Sequence, residues 1–308
     1  MEYRPLSVIF HLFVLLIVPP FFAGVINRVK SIFAGRKGPP LFQLYFDIFK
    51  LLKKDAVYSR STSYIFQFAP LVVLVSAVCA GAIIPLTGNA PIHFYGDIIL
   101  FAYFFALSRF FMVIAALDTA SSFGGMGASR EAAFGAFSEL TTFIVIIALA
   151  IITRSLSLDK IFTGGGPYLI AKPSIILLFI TFFFILLTEN SRMPVDDPNT
   201  HLELTMIHEV IMLDYSGPDL GLMLYAASMK LFIFMAFAAM LISSDASHGM
   251  FVGTALLLLK ITVLAVIIGV VESVTARVRL IRIPQLLIVS FVLSVFALLV
   301  ALFMKGVL

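Results

Sequence analysis

Eight stretches of this chain are almost wholly apolar, at 6–26, 64–86, 97–117, 132–153, 172–189, 219–243, 251–271 and 284–304. A helix rises about 1.5 Å per residue, so runs of this length match a hydrocarbon layer of roughly 30 Å. None has the short alternating segments of a membrane barrel. The pattern predicts an all-α polytopic membrane helix bundle of about eight transmembrane helices, forming one integral membrane domain over 1–308. The first run holds His11 and Pro19-Pro20 and lacks the small-residue exit site of a cleaved leader, so it reads as a retained span.

Between the first two runs, Leu41, Leu44, Tyr45, Ile48, Leu51 and Leu52 recur at helical spacing, with Gln43, Asp47, Lys50 and Lys54 on the opposite face. Following the GRKGPP turn, this predicts a cytoplasmic surface helix. It reads as an interfacial anchor with snorkelling lysines, as a docking ledge for a soluble partner, or as one wall of a cavity at the membrane surface. Polar residues gather again at 189–214, ENSRMPVDDPNTHLELTMIHEVIMLD, with Glu189, Asp196, Asp197, Glu203, Glu209 and Asp214 beside Arg192, His201 and His208. Leu202, Met206, Ile207 and Val210 predict a short helix there, started or broken by Pro194 and Pro198.

Composition sharpens this contrast: the chain is 61% hydrophobic and 12% charged, with a mean hydropathy of +1.09. Thirteen basic residues fall in the loops after the first, third, fifth and seventh runs, from Arg28 to Arg282. Only Arg4, Arg154, Lys160 and Lys305 lie clearly on the other side. The positive-inside rule then puts loops 27–63 and 189–218 in the cytoplasm and both termini outside a cell membrane. The pI near 9.2 reflects that asymmetry and gives no reason to invoke nucleic acid.

Several chemistries are excluded. The lone Cys79 lies within a run, which rules out a disulfide, an iron–sulfur cluster or a thiolate metal site in this chain. No two histidines oppose each other at mid-membrane, against a bis-histidine haem. His201, Glu203 and His208 do not have the HExxH spacing of a zinc site. Gly124-Gly125-Met126-Gly127 lacks the lysine of a phosphate loop and predicts a flexible turn, as does Gly164-Gly165-Gly166-Pro167. No cofactor, metal or active site of its own is expected.

Arg109, Lys230 and Lys260 lie near the middle of their runs, and Glu139 about two turns inside its own. A charge at that depth costs roughly 2.5–3.5 kcal/mol even on the lenient insertion scale, so such residues face the bundle interior and act or pair there. Each cation alone could merely snorkel or cap a carbonyl; three together point to a hydrated charged network. Glu131 and Glu272, at run ends, serve structure or function equally well, and Asp118 is read as a cap for the turn after it. In the acidic loop, clustered carboxylates and His208 form a proton relay beside Glu139, or else a solvated loop that binds a basic partner. The interleaved apolar residues favour the relay.

These residues resemble a known family: the complex I subunit 1 (NuoH-type) membrane subunits, shared with energy-converting nickel–iron hydrogenases and formate hydrogenlyase. GRKGPP with Asp47 and Lys50, GASREAAFGAFSEL with Arg130 and Glu139, ENSRMPVDD and HLEL with Glu189, Arg192, Pro194 and Glu203, and ESVTARVRL with Glu272 occur in the family's order. ALSRFFMVIAALDTASSFGGMGASRE and Lys260 are similar to the hydrogenase branch. So are the departures from complex I: a longer acidic loop, His201 in place of an acid, Asp214 in the DYSGP motif, and Lys230 in a span without glutamate.

The resemblance implies a non-catalytic coupling subunit. It would dock soluble iron–sulfur and hydrogenase-like subunits, which carry the iron–sulfur clusters and a NiFe centre, through Arg36, Asp47, Lys50, Lys53, Lys54, Arg130, Arg192, Arg279 and Arg282. Charge would pass through Glu139, Glu189, Glu203, His208, Glu209, Asp214, Arg109, Lys230 and Lys260 to antiporter-like membrane subunits that move H+ or Na+ across the lipid bilayer. Two alternatives are a quinone chamber between the surface helix and the acidic loop, and a stand-alone cation/proton transporter, against which the lack of an evident inverted repeat counts.

Overall fold

A computed structural model describes residues 4–164, 173–196, 206–243 and 249–305, and every regular element within them is helical. In chain order these are α1 Arg4–Ile17, α2 Pro19–Phe33, α3 Gln43–Leu52, α4 Tyr64–Ile83, α5 Asp97–Asp118, α6 Ser122–Thr153, α7 Leu158–Gly164, α8 Pro173–Glu189, α9 His208–Met212, α10 Gly217–Ile242, α11 Met250–Val274 and α12 Ile283–Met304. Seven spans are long and apolar enough to cross a membrane, α1 and α2 together counting as one, and α8 is an apolar helix of 17 residues. These eight correspond one for one to the apolar runs, so the chain is a multi-pass membrane protein. The predicted surface helix is α3, while α7 lies in a loop where the apolar pattern predicts no helix.

Two expectations are corrected at the boundaries. The first run divides at Val18 into α1 and α2, because Pro19 and Pro20 start a new first turn, where a missing N–H breaks no helical bond, and α2 then runs on past the apolar run to Phe33. Gly124-Gly125-Met126-Gly127 is not a flexible turn but lies within the first two turns of α6, which Ser121 caps by accepting from the Gly124 amide. A β carbon at Gly127 would stand 3.0 Å from Ile211 Cγ1 and 3.3 Å from the Ile207 carbonyl. The glycine's helical penalty of about 1 kcal/mol is thus offset by seating α9 directly on α6.

Helix α10 is the axis of the bundle, with 78% of its span buried against 28% for α12. Phenylalanines fill the space around it: Phe232 stacks on Phe22 of α2, and Phe237 on Phe182 of α8 at 4.5 Å and on Phe101 of α5 at 5.8 Å. Lys230, carried by this central helix, is therefore aimed into protein rather than lipid.

Helix α8 is about 25 Å long at 1.5 Å per residue, less than the hydrocarbon thickness. Its last residue, Glu189, meets Lys230, roughly 20 Å above the start of α10. The acidic segment thus begins inside the bundle.

The end bearing the basic loops is tied down by polar contacts. Asp118 does not cap the turn after it; its Oδ2 accepts from the Ser63 amide at 2.7 Å, just before α4. Tyr215 stacks on Phe66 at 4.0 Å and donates to its carbonyl, and burial pushes its phenol pKa up. The carboxylate of Asp219, at the start of α10, likewise raises the pKa of the neighbouring Tyr58 phenol.

Candidate functional site

The interior charges form one cluster. Arg109 of α5 bonds Glu139 through Nη1 and Glu189 through Nη2, and its Nε lies 3.3 Å from Glu131 Oε1. Nη1 also donates to the Gly135 carbonyl at 3.2 Å. Glu189 accepts as well from the Ser138 hydroxyl and from Lys230 Nζ at 2.7 Å. Lys230 lies 5.9 Å from the ring centres of Phe105 and Phe234. His208 Nδ1 stands 3.7 Å from Glu131 Oε2, beyond direct hydrogen-bond length but within reach of one bridging water or a small shift.

Two cations thus face three carboxylates, and protonation of His208 would bring the group to formal neutrality. Pairing removes the objection to charges at this depth, since each ion has a counter-ion, and Arg109 and Glu189 make further hydrogen bonds to the Gly135 carbonyl and the Ser138 hydroxyl.

Local sequence explains why α6 receives the guanidinium. Glu131, Gly135, Ser138 and Glu139 recur at spacings of about four and three, one polar and small face of an otherwise apolar helix. A β carbon at Gly135 would lie 2.6 Å from Arg109 Cδ and Nε, so only glycine leaves room for the side chain to lie against the backbone.

Three cavities adjoin the cluster. One of about 230 Å³, between α2, α3, the end of α8, α9 and α10, is lined by residues that include Gln43, Asp47, Asn190, Arg192, His208 and Glu209. A second, of about 20 Å³, touches His208, Glu131, Lys230 and Arg109 and has room for a single water. The third, about 590 Å³, is an apolar groove along α5 and α6 with Arg109 and Glu139 among its lining residues.

A second polar seam holds the acidic segment to the turn before α12. Arg277 meets Asp196 at 2.6 Å, and the Val278 amide donates to the Pro194 carbonyl. Asp196 Oδ2 accepts from the Ile207 and His208 amides, which sets the start of α9. Glu272, its side chain fully buried, lies 3.0 Å from Lys30 and 3.4 Å from Arg192.

Of the sequence-derived relay, Glu139, Glu189, His208, Arg109 and Lys230 converge. Glu209 lines the 230 Å³ cavity, and Asp214 is exposed away from the cluster. Lys260 instead donates to the Ser243 carbonyl and hydroxyl at the far end of α10, where a cation complements the helix dipole. Glu203, His201, Asp197 and Pro198 lie outside the described residues.

Among the docking residues, Arg36, Lys50, Lys53, Lys54, Arg279 and Arg282 are exposed at one end of the bundle. Asp47 accepts from Gln43 within α3, Arg130 bonds the Met206 carbonyl, and Arg192 is buried on Glu272, so these three hold the fold together. Sequence reasoning does not single out Glu131 and Ser138 as site residues; the polar face of α6 is the signal for both.

Similarity to known proteins agrees with this geometry. The chain is 28% identical over 291 residues to hydrogenase-4 component C of Escherichia coli, covering 92% of this chain and 91% of that protein. It is 29% identical over 281 residues to formate hydrogenlyase subunit 4 of Escherichia coli, covering 89% and 91%. Against the H-type subunit of the NADH-quinone oxidoreductase of Salinibacter ruber it is 27% identical over 222 residues, covering 67% and 63%. Its fold matches a chain in the structure of the membrane-bound sulfane sulfur reductase, an archaeal respiratory membrane complex, with a TM-score of 0.85 at 19% identity over 97% of this chain and 99% of that one. Residues 6–303 match the NADH dehydrogenase profile, and the chain belongs to that family of complex I subunit 1-type membrane proteins.

Proposed function

We propose that this chain is the membrane-anchoring and coupling subunit of an energy-converting, hydrogenase-like oxidoreductase. A soluble arm carrying iron–sulfur clusters and a NiFe centre would sit on the exposed basic residues of α3 and the turn before α12, on the cytoplasmic face, with both termini outside. Redox events in that arm would alter protonation at His208 and Glu131. The shift would reach Glu139 and, beyond it, antiporter-like membrane subunits.

The observation that carries this reading is the meeting of Arg109, Lys230, Glu131, Glu139 and Glu189 from four helices at one point inside the bundle. In a medium of low effective dielectric, moving one charge there is worth several kcal/mol to neighbours about 5 Å away. Coupling therefore needs no large motion. Alignment over nine-tenths of the chain with two hydrogenase-type membrane subunits, against two-thirds for the quinone-linked relative, favours the hydrogenase branch. The 230 Å³ cavity lies where a quinone headgroup would enter, but it is smaller than the roughly 300–1,000 Å³ of typical ligand pockets and suits water better.

The test is to purify the complex and compare wild type with Glu139→Gln. A cysteine-rich hydrogenase-like partner should copurify, and the variant should assemble but lose ion pumping. Normal pumping by Glu139→Gln would overturn the proposal.

A further inference from the structure

We infer that Arg109 is a proton barrier within the cluster: it passes a change of charge from the His208–Glu131 side to Glu139, but no proton. The inference rests on the coupling role proposed above and specifies how that coupling is transmitted.

The three cavities adjoin in series: His208, Met212 and Ala227 separate the first from the second, of which only His208 can carry a proton, and Arg109 separates the second from the third. His208 lines both the 230 Å³ cavity and the 20 Å³ one, and Arg109 lines both the 20 Å³ cavity and the 590 Å³ groove. The two interruptions differ in chemistry. An imidazole accepts a proton on one nitrogen and releases one from the other, and here it faces a carboxylate 3.7 Å away. A proton can therefore step from the first cavity to the second.

A guanidinium has donors only and stays charged at any pH a protein meets, so it cannot take a proton on one side and release it on the other. Among the described residues, Glu139 has its hydrogen bond from Arg109. The nearby Ser138 hydroxyl offers no bypass: its hydrogen bonds among the described residues run to Glu189 and the Gly135 carbonyl, and none reaches Glu139. Lys230 bonds Glu189, on the same side as the small cavity.

Charge crosses where protons cannot. One guanidinium contacts Glu131, Glu139 and Glu189 at once, and the absence of a β carbon at Gly135 keeps it between them. When His208 takes up a proton, Glu131 is drawn toward the imidazolium and its hold on Arg109 weakens. Arg109 then binds Glu139 and Glu189 more tightly. The titratable and charged groups around Arg109 are these three carboxylates, Lys230 and His208. The two sides thereby sense each other's charge without a continuous proton wire that would dissipate a gradient at rest.

Infrared difference spectra of the whole complex, taken as the medium on the basic-loop side is acidified, test this. The carboxylate band of Glu139 is the one Glu139→Gln removes. In wild type that band should shift in step with His208 protonation, a shift lost in His208→Asn, without conversion to a protonated carboxyl band. In Arg109→His, where a titratable ring replaces the guanidinium, the same acidification should convert it. Arg109→Lys, still a cation among carboxylates, should behave as wild type. Protonation of Glu139 in wild type that His208→Asn abolishes would overturn the inference, and so would an unconverted band in an assembled Arg109→His complex. The wild-type arm decides the matter even if Arg109→His does not assemble. Failure of the coupling role itself would show separately, as normal pumping by Glu139→Gln.

Discussion

Replacing Glu189 with glutamine removes one charge and almost no volume. Its side chain is 4% exposed and that of Lys230 15%, so this pair is buried. The amide keeps a carbonyl for Ser138 or Lys230, but Lys230 loses its directly bonded anion and is left with that carbonyl, the more distant Glu131 and the faces of Phe105 and Phe234 at 5.9 Å. Cation–π attraction of about 0.5–2 kcal/mol does not replace a buried counter-ion, whose removal costs about 3–5 kcal/mol. With partial retention of hydrogen bonding, the loss should be about 3 kcal/mol, roughly a hundredfold in the unfolding equilibrium.

Adding Lys230→Met removes the stranded cation and should restore most of that loss. The chain has no tryptophan, so unfolding is best followed by helical circular dichroism during titration of mixed micelles with a denaturing detergent. If Glu189→Gln matched wild type, or the double variant were no more stable than the single, the Lys230–Glu189 pair would not be what holds α8 against α10.

Other outcomes follow from contacts at the basic end. Reversing Lys53 and Lys54 to glutamate should leave the membrane part folded while weakening copurification of the soluble arm; unchanged copurification would make α3 only a lipid anchor. Gly127→Leu should push α9 off α6 by colliding with Ile211 and Val210, at a cost of about 1–3 kcal/mol. Limited proteolysis near 206 should then accelerate. The raised Tyr58 and Tyr215 pKa values mean the folded loops favour neutral phenols. Their contribution is fully present below the ordinary tyrosine value of about 10 and lost as pH rises through the folded-state values. Protection of the 57–66 amides, taken relative to their intrinsic base-catalysed exchange, should fall only at that alkaline end, and Tyr58→Phe should reduce the effect.

The bundle was legible in the sequence because spanning helices need long apolar runs, and no competing pattern was present. Arg109, Lys230 and Glu139 stood out for the same reason: a charge in an apolar run has few explanations. Lys260 met that criterion equally, yet it caps α10, because sequence gives depth without giving rotation about the helix axis. Glu131 was undervalued because α6 begins ten residues before its apolar run does, so a residue that looked terminal lies more than two turns inside. The polar face of α6 marks Ser138, but nothing local identifies Glu189, fifty-one residues away, as its partner.

Helix α8 acts as a ruler. Because it stops short of the far boundary, the height of Glu189 is fixed by a residue count rather than by its own chemistry. Inserting a single turn into α8 would lift that carboxylate by about 5.4 Å, away from both Arg109 and Lys230, with every charged residue still present. Thickening the surrounding lipid would strain the same dimension, which makes bilayer thickness one determinant of whether the three side chains meet.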